Sequence, residues 1–271
     1  MTDDSQTTDR TKSKGTELLR LHQDTTLLTV VNVWDVISAK VVADTPGTTA
    51  LATASHSIAA SRGYEDGENI PVDEMIAEVA RIAAAVDLPV SADLEGGYGD
   101  PAGTIRKAID VGIVGANIED QMRPLAEAAG NVEAMMKVAS DAGIDFVLNA
   151  RTDAFVKAGA ALKSGERQRA DVLAEAKERG LAYLDAGAPV VFVPGVLEDA
   201  EVAELAEAFG PQRLTLIGLP GVPPLARLQE LGVGRVSYGP MSQRVALTAL
   251  QELVEAVHGG GGVPSTMRAL N

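Results

Sequence analysis

Leu88-Pro89-Val90-Ser91-Ala92-Asp93-Leu94-Glu95-Gly96-Gly97-Tyr98-Gly99-Asp100-Pro101 is a short apolar run that ends in two acids, turns through three glycines and opens a helix at Pro101. The same strand, turn and helix grammar recurs along the whole chain. Apolar, β-branched runs fall at 28–33, 49–54, 89–93, 114–118, 145–150, 190–193, 213–217 and 234–238, and helical patterns fill 35–45, 72–86, 101–112, 131–142, 165–187, 198–208, 223–231 and 241–257. Pro71 ahead of Asp73-Glu74 and the pair Glu198-Asp199 mark helix starts, and Gly112, Gly143, Gly187 and Gly232 stand where left-handed caps end helices. Eight strands alternating with eight helices predict an α/β fold, a (β/α)8 TIM-type barrel. No glycine-rich dinucleotide fingerprint follows the first strand, which argues against an open doubly wound sheet.

Composition agrees with a barrel and excludes several classes of function. The chain has 271 residues, 46% of them hydrophobic but only nine aromatic, so Ala, Val, Leu and Ile must build the core. The length predicts a single barrel domain over 15–258, with a disordered arm at 1–14 and a flexible tail at 259–271 after the glycine run 259–262. A net charge of −15 without a basic stripe offers nucleic acid no seat. No apolar stretch reaches the length of a membrane span and the N-terminal residues are polar, so the expected location is the cytoplasm. The chain has no cysteine, which removes disulfides, thiolate metal sites and cysteine-dependent chemistry together.

Position in a barrel turns charges into a candidate site, because barrel active sites lie at the strand C-termini. Asp93 and Glu95 end the third strand and, spaced i and i+2, point to one face. Two such acids require a cation, and hard oxygen donors without a thiol favour magnesium, or manganese, over zinc. Glu119 and Asp120 end the neighbouring fourth strand, so a cation there meets a third acid, and since magnesium keeps several waters one or two of these carboxylates act through water. Arg151 and Asp153 follow the fifth strand; a planar guanidinium suits a substrate carboxylate. A metal and an arginine on one rim predict a small anionic substrate with a carboxylate beside a carbonyl, and an enolate-stabilising site.

Asn32-Val33-Trp34-Asp35, Gly63-Tyr64-Glu65-Asp66-Gly67, Ala92-Asp93-Leu94-Glu95-Gly96-Gly97-Tyr98-Gly99, Asn117-Ile118-Glu119-Asp120 and Asn149-Ala150-Arg151-Thr152-Asp153-Ala154-Phe155 occur in the order that resembles the isocitrate lyase/phosphoenolpyruvate mutase superfamily, over about residues 28–258. The resemblance implies a barrel with a swapped eighth helix, a homodimer or homotetramer, magnesium, and α-oxocarboxylates whose C–C or P–C bond breaks or forms through an enolate. By position it implies Asp93, Glu95 and Glu119 as metal acids and Asp66 as an acid of the metal shell. Arg151 becomes the holder of the substrate carboxylate, and Ala54, Ser55 and His56 the stretch whose N–H groups cradle an oxyanion. His56, with Asp66 and Arg151, is a catalytic candidate; Tyr64, Tyr98 and a bound water are the other proton donors in view.

The departures narrow the chemistry. Gln121-Met122-Arg123-Pro124-Leu125-Ala126-Glu127 stands where isocitrate and methylisocitrate lyases carry a cysteine loop, which argues against their reactions. The loop is also short for a phosphonate enzyme, and Val193-Pro194-Gly195 replaces the mutase's histidine after the sixth strand. The leading expectation is a magnesium-dependent lyase cleaving a C–C bond of a small α-oxo acid, by retro-aldol cleavage or decarboxylation. Phosphonopyruvate or phosphoenolpyruvate P–C chemistry, as mutase or hydrolase, and a catalytically silent binding barrel are the alternatives. Plainer readings stand beside these: Arg151 as a structural partner of Asp153 or Glu119, Asp120 as a cap, Trp34 as packing, His22 and His258 as surface residues, and Glu201, Glu204 and Glu207 as a solvated helix face.

Overall fold

A computed structural model describes residues 4–270 of the protein. Nine parallel strand segments form one sheet: β1 (Leu28–Val30), β2 (Asn32–Val33), β3 (Leu51–Thr53), β4 (Val90–Asp93), β5 (Gly115–Glu119), β6 (Val147–Arg151), β7 (Val190–Phe192), β8 (Leu214–Ile217) and β9 (Arg235–Ser237). β1 pairs with β9 and β2 with β3, and only Val31 separates β1 from β2. They are two halves of one staggered strand, and the sheet closes through them into the expected TIM-type barrel. Asn32 stitches this seam: its amide donates to the Thr53 carbonyl at 2.7 Å and its side-chain oxygen accepts from Tyr238 and Gly239 N–H at 2.7 and 2.8 Å.

Eleven helices surround the sheet among the described residues: α1 (Asp4–Gln23), α2 (Val36–Ala43), α3 (Ser55–Ser61), α4 (Val72–Ala85), α5 (Pro101–Asp110), α6 (Leu125–Ala142), α7 (Ala154–Ser164), α8 (Arg169–Asp185), α9 (Asp199–Phe209), α10 (Leu225–Glu230) and α11 (Met241–His258). Local chemistry sets their ends. Asp100 caps α5 by accepting from Gly103 N–H at 2.9 Å, with Pro101 at the first helical position. Asp35 and Ser38 form a reciprocal capping box on α2. Gly112, Gly143, Gly187 and Gly232 all have positive φ, from 67° to 100°.

The N-terminal segment differs from the expected disordered arm: from Asp4 onward it is helix α1, while residues 1–3 lie outside the described residues. Its last turn provides the anchor, with Leu18 fully buried and Leu21 nearly so. His22 is not a surface residue either. It is 2% exposed, its Nδ1 2.8 Å from the Leu18 carbonyl, while His258 is exposed as expected. Glu201 departs from the solvated face of α9 as well: it is buried, bonded to Arg169 at 2.7 Å and to Glu198 N–H at 2.7 Å.

Inside the barrel a polar layer lies under the C-terminal rim. Asn149 donates to Asn117 at 2.7 Å and accepts from the Thr215 hydroxyl at 2.6 Å, and Arg235, 1% exposed, donates to the Ser91 hydroxyl at 3.2 Å. α11 touches β2, yet Gln243 alone of its residues is buried, and Val245, Leu247, Leu250, Val254 and Val257 face outward. Residues 259–270 form neither helix nor strand and are exposed. Among the described residues no helix is long and apolar enough to cross a membrane.

Candidate active site

Asp93, the last residue of β4, is held in a fixed orientation. Its Oδ2 accepts the Ser55 N–H at 3.0 Å and the Ser55 hydroxyl at 2.8 Å, and its own N–H donates to the Thr53 hydroxyl at 2.9 Å. The acid is therefore tied to the first residue of α3, on the neighbouring strand's loop. Glu95, two residues on, is 5% exposed; its Oε2 accepts the Glu68 N–H, while its Oε1 is buried with no hydrogen-bond partner among the described residues. Burial and the charge of Asp93 push Glu95 up to about 7, with Asp66 and Glu119 adding to the rise against the Glu68 bond.

The backbone around these acids is held out of its ordinary range. Glu68, Glu95, Tyr98, Gln121 and Met122 have φ between 49° and 63°, and outside this rim only Gln212 among the described non-glycine residues has positive φ. Each such conformation costs roughly 1–2 kcal/mol, so surrounding bonds must impose it. They do: the Glu68 carboxylate accepts from Tyr98 N–H at 2.6 Å and from the Gln121 amide at 3.4 Å, and Glu119 N–H donates to the Glu95 carbonyl at 2.8 Å. Gly96 and Gly97 make the turn feasible, since a Cβ at Gly96 would collide with Gln121 and one at Gly97, where φ is 87°, with Pro101. The Tyr98 hydroxyl is buried, with no hydrogen-bond partner of good geometry among the described residues, and burial together with the charge and proximity of the Glu95 carboxylate pushes it well above the ordinary phenol range.

Arg151 has both of the structural partners that its sequence position suggested. Its Nε and Nη2 each lie 2.8 Å from Oδ1 of Asp153, and its Nη1 lies 2.9 Å from Oε2 of Glu119. Glu119 and Arg151 are register partners on β5 and β6. Burial nevertheless raises Glu119 to about 7, the Arg151 charge opposing and Asp153 and Asp93 adding. Consequently Asp93, Glu95 and Glu119, the three acids expected to hold a metal, are not brought into one cage: among the described residues no group of three His, Asp or Glu side chains is placed to hold an ion together. Asp93 and Glu95 share a rim, and Glu119 is turned to the arginine.

Asp120 is structural. Its Oδ1 accepts from Met122 N–H at 2.9 Å and Asp153 N–H at 3.0 Å, and its Oδ2 from the Tyr183 hydroxyl at 2.6 Å and Arg179 at 3.3 Å. Tyr183 and Arg179 lie one turn apart on α8, far from the motif in sequence. Asp66 is exposed on the loop between α3 and α4, where its charge reaches Glu95.

The N–H groups at the start of α3, where the resemblance implied an oxyanion cradle, differ in what they already bond. Ala54 N–H bonds the Val33 carbonyl at 3.2 Å and Ser55 N–H bonds Asp93, so neither is free for a substrate. Of the four N–H groups that open α3 without an intrahelical acceptor, those of His56 and Ser57 remain. The Nδ1 of His56 and the Ser57 hydroxyl are buried and unpartnered among the described residues. Tyr64 is turned away, its hydroxyl on Glu74 at 3.0 Å. Trp34 packs half-buried against the core, as expected.

A family model described as phosphoenolpyruvate phosphomutase matches residues 18–258. A provisionally named phosphonomutase from Burkholderia cenocepacia J2315 has a crystal structure with TM-score 0.83 and 38% identity, covering 90% of this chain and 98% of that one. The 2,3-dimethylmalate lyase of Eubacterium barkeri is 28% identical over 253 residues, 86% of this chain and 83% of its own. The oxaloacetate decarboxylase of Pseudomonas paraeruginosa is 27% identical over 244 residues, 84% of this chain and 79% of its own.

Proposed function

We propose, from the premise that this chain belongs to the phosphoenolpyruvate phosphomutase family of the isocitrate lyase/phosphoenolpyruvate mutase superfamily, that it is a magnesium-dependent lyase cleaving a C–C bond of a small α-oxo acid by retro-aldol cleavage or decarboxylation. The observation that carries this reading is the shared rim of Asp93, Glu95 and Arg151, two acids and an arginine at the strand C-termini. A 2,3-dimethylmalate lyase and an oxaloacetate decarboxylase among the relatives support the reaction class.

The residues fit magnesium. Glu95 Oε1 is an orphaned buried acceptor, and the donors are hard oxygens, which also suits manganese. Magnesium keeps several waters, so Asp93 and Glu95 suffice as direct holders, with Glu119 and Asp66 acting through water. When bound, it supplies Lewis-acid stabilisation of negative charge developing on the substrate carbonyl oxygen. Arg151 binds and orients the substrate carboxylate, and the His56 and Ser57 N–H groups receive a substrate oxygen in place of those of Ala54 and Ser55. The turn 121–123 is bonded to Glu68, whose N–H in turn holds the Glu95 carboxylate. For the enolate proton, Tyr98 and His56 are better placed than Tyr64, because both present buried, unpartnered polar atoms.

The outward apolar face of α11 fits the exchanged eighth helix of a homodimer or homotetramer, and the protein is read as cytoplasmic. P–C chemistry is the second reading, favoured by the family description and the phosphonomutase relative. A magnesium-dependent panel of oxaloacetate, substituted malates and phosphonopyruvate, followed by proton and phosphorus NMR, tests both. Asp93→Ala is expected to abolish turnover of the cognate acid. Turnover of phosphonopyruvate alone would replace the first reading by the second, and no turnover of any acid would remove both.

A further inference from the structure

Arg151 has five N–H groups, and carboxylates already occupy its accessible edges. Asp153 takes the Nε and Nη2 side, and Glu119 takes Nη1 at 2.9 Å. Two acids on one guanidinium leave it little free positive edge for an anionic substrate; Asp93 adds to the acidic field, and Lys157 opposes it at Glu119 and Asp153. The arginine as it stands is therefore a poor receptor for a carboxylate, which needs a free edge of the fork.

The two acids are held differently. Asp153 is 1% exposed, and its backbone N–H is anchored on Asp120 at 3.0 Å at the start of α7. Glu119 keeps a half-buried side chain at the end of β5, and its N–H bonds the Glu95 carbonyl at 2.8 Å while its Cα stands in register with Arg151. Its backbone thus sits between the metal acids and the arginine, and rotation about its side-chain bonds alone can redirect the carboxylate from one to the other. No other acid of the rim has this position.

Resting on the proposed magnesium-dependent reading, we infer that Glu119 is an exchangeable partner of Arg151, paired with the arginine in the arrangement described and drawn off when a cation's hydration shell takes its carboxylate, whereas Asp153 is its permanent positioning residue. Substrate carboxylate then docks on Arg151 only after the cation is in place, so binding is ordered with the metal first. The arrangement protects the cluster before loading, since a bare Arg151 or a bare Glu119 in this half-buried rim would be costly.

The test uses trifluoroacetate, a monocarboxylate with no second donor group beside its carboxylate, followed by fluorine NMR on the full chain. Wild type is expected to bind it at least tenfold more tightly with saturating magnesium than without. Metal-free Glu119→Gln is expected to reach the magnesium-loaded wild-type affinity, and Glu119→Ala, measured beside it, to do the same should the first variant fold poorly. Metal-free Asp66→Asn removes one charge without touching Arg151 and is expected to stay as weak as wild type. Asp153→Asn is expected to weaken trifluoroacetate about tenfold in the presence of magnesium while leaving magnesium affinity, read by calorimetry, unchanged. Glu119 variants that still require magnesium, or Asp66→Asn matching them, would overturn the exchange. Undiminished binding by Arg151→Met would instead remove Arg151 as the carboxylate receptor, a failure of the functional reading and not of the exchange alone.

Discussion

Ser55 donates both its backbone N–H and its hydroxyl to the same oxygen of Asp93, at 3.0 and 2.8 Å. The other oxygen of that carboxylate is thereby aimed by a neighbouring loop before any ligand arrives. Groups that orient a metal ligand typically contribute 10–100-fold in affinity. Ser55→Ala keeps the N–H bond and loses the hydroxyl, so it is expected to weaken magnesium about 10-fold, with a stability loss of about 1 kcal/mol. Calorimetric titration of magnesium and a urea melt check the two numbers. Unaltered magnesium affinity would mean that the backbone bond alone aims Asp93, or that Asp93 does not hold the ion.

Glu95 and Glu119 both sit near 7 in the folded protein against an ordinary value of 4.5. Between these values the folded state binds more protons than the unfolded chain. Stability of the metal-free protein is therefore expected to fall as pH rises from about 4.5 to 7, by up to about 1.4 kcal/mol per pH unit for each acid. The loss belongs to the acids jointly, since Glu119 contributes to the position of Glu95. Denaturant melts in chelator at pH 5, 6, 7 and 8 measure the slope, and Glu95→Gln should flatten it. Magnesium should restore the most stability at the highest pH.

Asp120 separates structural from functional acids at the same rim. The Tyr183 hydroxyl reaches it at 2.6 Å from a buried position on α8. Tyr183→Phe is expected to cost 1–3 kcal/mol and to leave magnesium affinity within a factor of two (about 0.4 kcal/mol), measured by denaturation and calorimetry. A large loss of magnesium affinity at constant stability would place Asp120 among the metal acids after all.

How far the sequence could be read depends on where each signal is written. A strand buried on both faces writes a continuous apolar run, and each of the eight runs contains its observed strand or overlaps it. α1 has no apolar stripe to read, because its first turns are polar and its buried face runs through Thr11 and Gly15 before reaching Leu18 and Leu21. α3 is too short for a periodic pattern, and α7 falls in the gap between the strand run at 145–150 and the helical pattern at 165–187, which covers α8 alone. At the site, Asp93, Glu95, Glu119 and Arg151 were visible as types and positions. The pairing of Arg151 with Asp153 and Glu119 was legible as one of two readings, and the choice was not, since whether Glu119 faces a cation or Arg151 is decided by side-chain rotation. Tyr183, Arg179 and Arg235 had no local signal, because they meet the site only through the closure of the barrel. The positive φ of Glu95 and Tyr98 was hidden as well, since neither is a glycine.

His22 tests the far end of that barrel. Its ring is 2% exposed, and with Nδ1 2.8 Å from the Leu18 carbonyl that nitrogen carries the proton of the neutral form. Burial, with the Arg235 charge assisting, lowers it to about 3 from 6.5. Below pH 6.5 the unfolded chain takes up a proton that the folded chain refuses, so this group's contribution is present above 6.5 and lost as pH falls toward 3. Its slope is opposite to that of Glu95 and Glu119, and a difference measurement isolates it. The destabilisation caused by His22→Gln is expected to be about 2 kcal/mol smaller at pH 5 than at pH 7, by denaturant melts of both proteins in one buffer series. Equal destabilisation at the two pH values would mean that His22 can be protonated in place, and that the packing of α1 over Arg235 is looser than its burial indicates.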